Sequence, residues 1–250
     1  MKVLILAAAD QQGEFEDSDY PLCLTEFDGT TLIERIARKC AGLPASEWIF
    51  AMREREVRRY HLDNVVRQLV PNPRILIVRD NTRGAACTAL LAAGSIDSDE
   101  ELLIVSANEV VDVDLTTLVE SFRLRGLDAG TIVFPSVHPR YSYVRLDQQG
   151  FVLEAAEKNP ISSDAMAGIH WFAHGRTFVH CAKQTIRKDA HVEGSFYVSP
   201  TLNELVLEQS LIGVHRIEAR QYHPLKNRRR VRSLAGAPSA SSAGGMRSAR

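Results

Sequence analysis

Short apolar segments alternate with helix-like segments through the first half of the chain, and this alternation most constrains the fold. Residues 2–8 form a continuous apolar run, which is typical of a parallel strand covered on both faces. Residues 31–40 carry apolar side chains at helical spacing, and Thr31 with Glu34 can form a capping box. The pattern predicts an α/β, Rossmann-like fold with a mostly parallel central sheet and helices on both faces.

The same alternation continues to residue 134. Further strands are predicted at residues 48–52, 75–78, 102–105 and 131–134. Further helices are predicted at residues 57–69, 84–93 and 115–125.

The pattern changes after Pro135. Residues 141–147 and 151–157 flank a Gln-Gln-Gly turn and predict an inserted β-hairpin. A strand at 166–173, a helix at 178–186 and a closing strand at 214–217 follow. Ser199 and Pro200 form a good N-cap and first-turn pair for one more helix.

The formal net charge of −1 over 250 residues hides an uneven distribution. From Leu225 onward there are seven basic residues and no acidic ones, so residues 1–224 carry −8 and the tail carries +7. We expect one domain over residues 1–224 and a basic, then Ser/Ala/Gly-rich, disordered tail over 225–250. The tail's basic cluster suits nucleic acid, an acidic partner, a membrane surface or simple solubilisation, and we favour the last.

Several protein classes do not match this composition. The four cysteines form no CxxC pair, which disfavours a zinc site or a disulfide framework and favours the cytoplasm. No apolar stretch approaches the roughly 20 residues of a membrane span. The loop after the first strand lacks GxGxxG, and no Walker A sequence occurs, which disfavours a dinucleotide-binding oxidoreductase and a P-loop protein.

Seven short motifs stand in order along residues 2–218. They are ILAA (5–8), YP (20–21), LTEFDGTTLI (24–33), RGAACTAL (83–90), LLIVSANE (102–109), EKNP (157–160) and AGI (167–169). Together they resemble the opening strand, the YPK segment, the nucleotide loop, the strand ending in GD, the EKP segment and the following strand of sugar-1-phosphate nucleotidyltransferases. That family has a glycosyltransferase-A-like fold.

The resemblance implies a reaction and a set of site residues. It implies transfer of a nucleotidyl group from an NTP to a sugar phosphate or similar phosphorylated metabolite, with release of pyrophosphate. The implied nucleotide-binding residues are Ala8, Ala9, Arg83, Gly84 and Ala85. The implied sugar-binding residues are Glu157, Lys158, Gly168 and Gly194. The implied catalytic residues are Asn108, Glu109 and Lys158, and Mg²⁺ would be held by Asn108 and Asp112.

The sequence departs from the family at the charged positions. Leu22-Cys23 stands where the family's lysine is expected, and residues 10–28 contain seven acids and no base. Asn108 replaces the aspartate of the GD pair, and no second aspartate is evident near residue 220. An acidic loop would repel a triphosphate, and these departures argue against a routine pyrophosphorylase.

Two alternatives therefore stay open. The first is a catalytically degenerate relative that binds a nucleotide sugar or a partner protein. The second is a glycosyltransferase that uses Asp112 and Asp114 as a DxD metal site, although Asp114 is better placed to cap a helix beginning at Leu115. For Arg83, Asn108, Glu109 and Lys158 singly, solvated or structural roles are equally plausible. The oligomeric state is not predicted.

Overall fold

The computed structural model describes residues 1–8, 21–27, 29–79 and 82–224. The predictions made for Ala9, for most of the acidic stretch (residues 10–20 and Asp28) and for the tail at 225–250 lie outside the described residues.

Strands make up the centre of the described structure. They are β1 (Lys2–Leu6), β2 (Glu26–Phe27), β3 (Thr30–Thr31), β4 (Glu47–Arg53), β5 (Arg74–Val78), β6 (Leu102–Ser106), β7 (Glu109–Val111), β8 (Ala129–Pro135), β9 (Ser142–Leu146), β10 (Val152–Glu157), β11 (Asp164–Phe172), β12 (Ile212–Arg216) and β13 (Tyr222–Pro224).

Helices surround these strands. The α-helices are α1 (Leu32–Cys40), α2 (Glu54–Tyr60), α3 (Leu62–Leu69), α4 (Ala85–Leu90), α5 (Ala93–Ile96), α6 (Leu115–Leu124), α7 (Gly175–Arg187) and α8 (Leu202–Leu207). Short 3₁₀ helices occur at Leu22–Leu24, Ser199–Thr201 and Ala219–Gln221. In the part of the chain that the structure describes, no helix has the length and apolarity needed to cross a bilayer.

Nine of the strands form one sheet, in the order β10-β9-β11-β6-β1-β4-β5, with β8 pairing β11 and β12 pairing β8. All of its strands except β10 and β11 run in the same direction. The predicted mostly parallel α/β sheet is therefore confirmed. Two small antiparallel pairs, β13-β7 and β2-β3, lie outside it.

The first strand shows why both faces of the sheet are apolar. Val3 and Ile5 pack in one buried cluster with residues of α1 and α6, whereas Leu4 and Leu6 pack in a second cluster with residues of α4, α7 and α8. Because successive side chains of a strand point to opposite faces, a strand covered by helices on both sides needs an unbroken apolar sequence.

Several local predictions are confirmed. The β9–β10 hairpin occupies the segment where it was expected, and Gly150 has a φ of 86° in its turn. One half of the predicted Thr31–Glu34 capping box is present, since the Thr31 hydroxyl accepts a hydrogen bond from the amide of Glu34 at the start of α1. The Asp114 carboxylate accepts hydrogen bonds from the amides of Thr116 and Thr117 at the start of α6.

Two predicted helices are each divided in two. The helix expected over residues 57–69 is interrupted at His61, which has a φ of 53° and separates α2 from α3. The helix expected over residues 84–93 breaks after Leu90. There the amides of Leu91 and Ala92 bond to carbonyls three residues back, at 3.2 and 3.0 Å, so the last turn tightens and ends α4.

The predicted N-cap role of Ser199 is wrong. Ser199 opens a 3₁₀ turn, and the turn makes no side-chain cap hydrogen bond. Its hydroxyl instead donates a hydrogen bond to the Glu157 carboxylate at 2.8 Å. The Ser199 side chain therefore bonds to Glu157, which is distant in the sequence, and does not cap the turn that it opens.

Candidate functional site

A cleft of about 470 Å³ lies where β1, β4, β5 and β6 end. The start of β9, the end of β10, the middle of β11 and the segment at residues 195–199 form its other walls. In open α/β sheets, loops at the carboxyl ends of the strands form the usual ligand site. The position of the cleft thus follows from the parallel arrangement of the first strands.

Most of the sequence-predicted site residues line this one cleft. The nucleotide-side and sugar-side residues in its walls are Ala8, Gly84, Ala85, Asn108, Glu109, Glu157, Lys158 and Gly168. Three other described residues, Arg83, Gly194 and Asp112, lie outside its lining.

Arg83 and Gly194 hold the chain segments beside the cleft together. The Arg83 Nε donates to the Gly194 carbonyl at 3.3 Å, and the guanidinium carbon lies 5.0 Å from the centre of the Phe196 ring. The amide of Phe196 donates to the Arg83 carbonyl at 2.7 Å, and the amide of Ala86 donates to the Phe196 carbonyl at 3.0 Å. Arg83 therefore fixes one wall of the cleft by contacts within the protein.

Gly84 is required by this contact. A Cβ atom added there would lie 2.4 Å from the Phe196 carbonyl oxygen, and its φ of 102° is strained for any other residue. The glycine expected in a nucleotide loop is thus explained by close backbone packing.

Glu109 is held from two sides under the cleft. One carboxylate oxygen accepts a hydrogen bond from the Gly168 amide at 2.6 Å, and the other accepts one from the Tyr222 hydroxyl. Burial, followed by the charge of Glu109, raises the pKa of Tyr222 well above its usual range, so the phenol stays protonated. This arrangement gives Glu109 a fixed orientation and ties β7 to β11 and β13.

The described residues do not fit a magnesium site on their own. Among them, no group of three His, Cys, Asp or Glu side chains is placed to hold a metal ion. Asn108 lines the cleft, but its Oδ1 accepts a hydrogen bond from the Ser106 hydroxyl at 2.8 Å. Asp112 faces away, toward His223 Nε2 at 2.7 Å and Lys39 Nζ at 3.6 Å, and its side chain is 55% exposed. The pairing of Asn108 and Asp112 around one metal therefore finds no support.

Glu157 and Lys158 form the hairpin side of the cleft. The Glu157 carboxylate accepts hydrogen bonds from the hydroxyls of Ser142 and Ser199. Lys158 has a φ of 55°, its ammonium group donates to the Glu193 carboxylate, and it lies 5.7 Å from the centre of the Tyr197 ring. The hydrogen bond to Glu193 raises the pKa of Lys158, which stays positively charged. Lys158 therefore presents a cation that already binds a carboxylate.

No protein-family model matches the sequence, and neither does any curated protein. Solved structures do match. The nucleoside-diphosphate-sugar pyrophosphorylase of Vibrio cholerae RC9 has a TM-score of 0.76 and 19% identity, covering 93% of this chain and 99% of that one.

Two further solved structures are similar. A protein from Bacillus anthracis designated a glucose-1-phosphate thymidylyltransferase, in complex with sucrose, has a TM-score of 0.74 and 14% identity over 96% of this chain and 97% of its own. A UDP-glucose pyrophosphorylase complexed with UDP-glucose has a TM-score of 0.74 and 11% identity over 94% of this chain and 96% of its own.

This chain has the fold of the sugar-1-phosphate nucleotidyltransferases. The resemblance found in the sequence motifs is thereby confirmed at the level of the fold.

Within this nucleotidyltransferase fold, three cationic side chains of the cleft were not among the site residues predicted from the sequence. Arg53 lies at the end of β4, Arg79 directly after β5, and Arg140 just before β9. They join Lys158 among the residues that line the cleft, which also include the carboxylates Glu56, Glu109 and Glu157. Arg53 and Arg79 each directly follow a strand predicted from the sequence, at residues 48–52 and 75–78, and this position could have identified them as site residues.

The two residues that stand where the sequence resemblance leads one to expect a lysine also lie at the cleft. Leu22 and Cys23 both line it. Burial, with a smaller contribution from the Glu56 carboxylate, raises the pKa of the Cys23 thiol to about 12. Cys23 is therefore a neutral thiol and supplies no charge to a ligand.

His170 also lies in the wall of the cleft. It is only 5% exposed, and burial lowers its pKa to about 4. Among the described residues, its Nδ1 has no hydrogen-bond partner. His170 is thus a neutral imidazole at neutral pH.

Proposed function

We propose that this chain is a nucleotidyltransferase that joins an NTP to a sugar phosphate or a similar phosphorylated metabolite. The observation that carries the proposal is that the nucleotide-side residues Ala8, Gly84 and Ala85 and the sugar-side residues Glu157 and Lys158 line one cleft. The similar solved structures include a pyrophosphorylase complexed with UDP-glucose, which supports a nucleotide sugar as the product.

In the proposed reaction, a phosphate oxygen of the acceptor attacks the α-phosphorus of the NTP. The bond between the α-phosphorus and the oxygen that leads to the β-phosphate breaks, and pyrophosphate leaves with that electron pair. Orienting the two phosphates and neutralising their charge are most of the catalysis in such transfers. Lys158 is the residue we assign to the acceptor's phosphate, because it is a cleft-lining ammonium group that already binds a carboxylate.

Binding is tested by thermal unfolding in the presence of Mg²⁺. We expect an NTP, a sugar 1-phosphate and the matching nucleotide sugar each to raise the Tm, since each occupies part of the cleft. Lys158→Met should remove the effect of the sugar 1-phosphate and keep that of the NTP. No stabilisation by any of a panel of NTPs, sugar 1-phosphates and nucleotide sugars would contradict the proposal.

A second candidate is a protein that binds a nucleotide sugar without turnover. The neutral Leu22-Cys23 pair and Asn108 favour it, because these residues replace a lysine and an aspartate that the resemblance leads one to expect. Stabilisation by a nucleotide sugar without any pyrophosphate release would select this candidate. The glycosyltransferase alternative is not proposed, because Asp114 caps α6 and Asp112 pairs with His223.

A further inference from the structure

Among the described residues, four cationic side chains line the cleft, and they form two pairs on opposite halves of the sheet. Arg53 ends β4 and Arg79 directly follows β5, and their backbones are close because Arg53 is in register with Val78. Arg140 and Lys158 are neighbours as well, because the Lys158 amide donates to the carbonyl of Tyr141 at 3.0 Å.

These two pairs are too far apart to hold the same phosphate. Strands β1, β6 and β11 lie between β4 and β9 in the sheet. At about 4.8 Å per strand, the backbones that carry the two pairs are separated by on the order of 20 Å. If Lys158 binds the acceptor's phosphate, the other pair remains for a second anionic group.

Arg53 and Arg79 lie on the same wall of the cleft as Leu22 and Cys23, the residues that stand where a lysine was expected. Arg53 lines the cleft together with Leu22 and Cys23, although only 8% of it is exposed. Glu56, one helical turn later, is equally buried and lines the same wall. Among the described residues of this wall, two guanidinium groups and one carboxylate leave a net positive charge.

We propose that Arg53 and Arg79 bind the phosphate chain of the NTP and take the place of the lysine that is absent at Leu22-Cys23. This inference rests on the proposed function and identifies the residues whose positive charge allows the cleft to bind a triphosphate. Guanidinium groups suit the role because they bind phosphate oxygens through two parallel hydrogen bonds. Arg53 is largely buried where it lines the cleft, and Arg79 is exposed and accessible to the incoming ligand.

The test compares nucleoside triphosphate with nucleoside monophosphate binding by titration calorimetry. ATP, CTP, GTP, TTP and UTP, and the corresponding monophosphates, are titrated into the unmodified protein, Arg79→Met and Arg53→Lys. Arg53→Lys keeps the charge and loses the planar guanidinium group. We expect Arg79→Met to raise the Kd of the triphosphate about tenfold and that of the monophosphate less than twofold. Arg74→Met is the matched control, because Arg74 lies at the opposite end of β5, and its Kd values should be unchanged.

A second variant distinguishes the loss of a positive charge from a loss of structure in Arg79→Met. Leu22 is half-buried and lines the cleft, so Leu22→Lys in the Arg79→Met background should restore most of the triphosphate affinity. Equal loss of mono- and triphosphate affinity, or no loss in Arg79→Met and Arg53→Lys, would overturn the inference alone. Absence of nucleotide binding by the unmodified protein would overturn the proposed function as well.

Discussion

The hydroxyl of Tyr222 donates a hydrogen bond to the carboxylate of Glu109 beneath the candidate site. The second oxygen of the same carboxylate accepts the amide of Gly168 at 2.6 Å. Three strands that are distant in sequence, β7, β11 and β13, thus meet at one buried charge. Since an ionised carboxylate is stable in such a place only when hydrogen-bonded, these contacts determine where Glu109 points in the cleft.

Gly168→Ala tests this arrangement. A Cβ atom at residue 168 would lie 2.0 Å from the Glu109 oxygen and 2.6 Å from the Ser106 Cβ, so we expect a loss of about 2–3 kcal/mol in the free energy of unfolding. Urea denaturation measures the loss. Gly94→Ala is the control, because no atom lies within 4 Å of its added Cβ and its φ is ordinary. Equal stability of the two variants would contradict the arrangement.

His170 makes the stability of the fold depend on pH. Its folded pKa of about 4 lies below the unfolded value near 6.5, so below pH 6.5 the unfolded chain takes up a proton that the folded protein does not. Above pH 6.5, His170 therefore does not lower the free energy of unfolding. As the pH drops to 4, the free energy of unfolding falls by up to about 3 kcal/mol because of this residue. Urea unfolding at pH 7 and pH 5 measures it.

The matched variants for this experiment are His170→Phe and His180→Gln. His170→Phe should weaken the loss of stability between pH 7 and pH 5, because phenylalanine takes up no proton. His180 lies 3.1 Å from the Glu208 carboxylate on the exposed side of α7, and because exposed pairs contribute little to stability, its replacement should change the pH dependence far less. The same pH dependence in His170→Phe as in the unmodified protein would count against a buried neutral imidazole.

Glu193→Gln should tighten the binding of a sugar 1-phosphate. In the free protein the Glu193 carboxylate binds the Lys158 ammonium group, and a phosphate must displace it. Because the pair is partly exposed, its removal is worth less than 1 kcal/mol, so we expect the Kd to fall about two- to fivefold. Glu154→Gln breaks a comparable pair with Arg145 on the same hairpin and should leave the Kd unchanged. Weaker binding by Glu193→Gln would show that Glu193 positions Lys158 instead of competing for it.

Asp114→Ala tests whether Asp114 caps a helix or binds a metal ion. Asp114 accepts the amides of Thr116 and Thr117, so its removal should lower the Tm without changing nucleotide binding. Thermal unfolding with and without a UDP-sugar and Mn²⁺ checks both parts. If the variant lost stabilisation by these ligands while the unmodified protein showed it, a DxD site would be indicated after all.

Elements defined by neighbouring residues could be predicted from the sequence. The first strand, the β9–β10 hairpin and the Asp114 cap each depend on a local pattern, and each is confirmed. The break at His61 was missed because the apolar spacing continues across it while one residue takes a left-handed conformation.

The charges of the cleft illustrate why the candidate site was harder to predict. The sequence showed acids in one loop and no base among them, which suggested a site unable to accept phosphates. Arg53 and Arg79 are 26 residues apart and become neighbours only because β4 and β5 pair in parallel. The order of charges along the chain does not show which strands pair, because the register of the sheet determines which residues become neighbours.

Pyrophosphate release is the measurement that tests the central claim most directly. The protein is incubated with Mg²⁺, each of several NTPs and each of several sugar 1-phosphates, and pyrophosphate and the nucleotide sugar are quantified together. We predict equal amounts of both products for at least one pair, dependent on both substrates and reduced about a hundredfold or more in Lys158→Met. Binding of the substrates with no pyrophosphate from any pair, or undiminished release by Lys158→Met, would contradict the account.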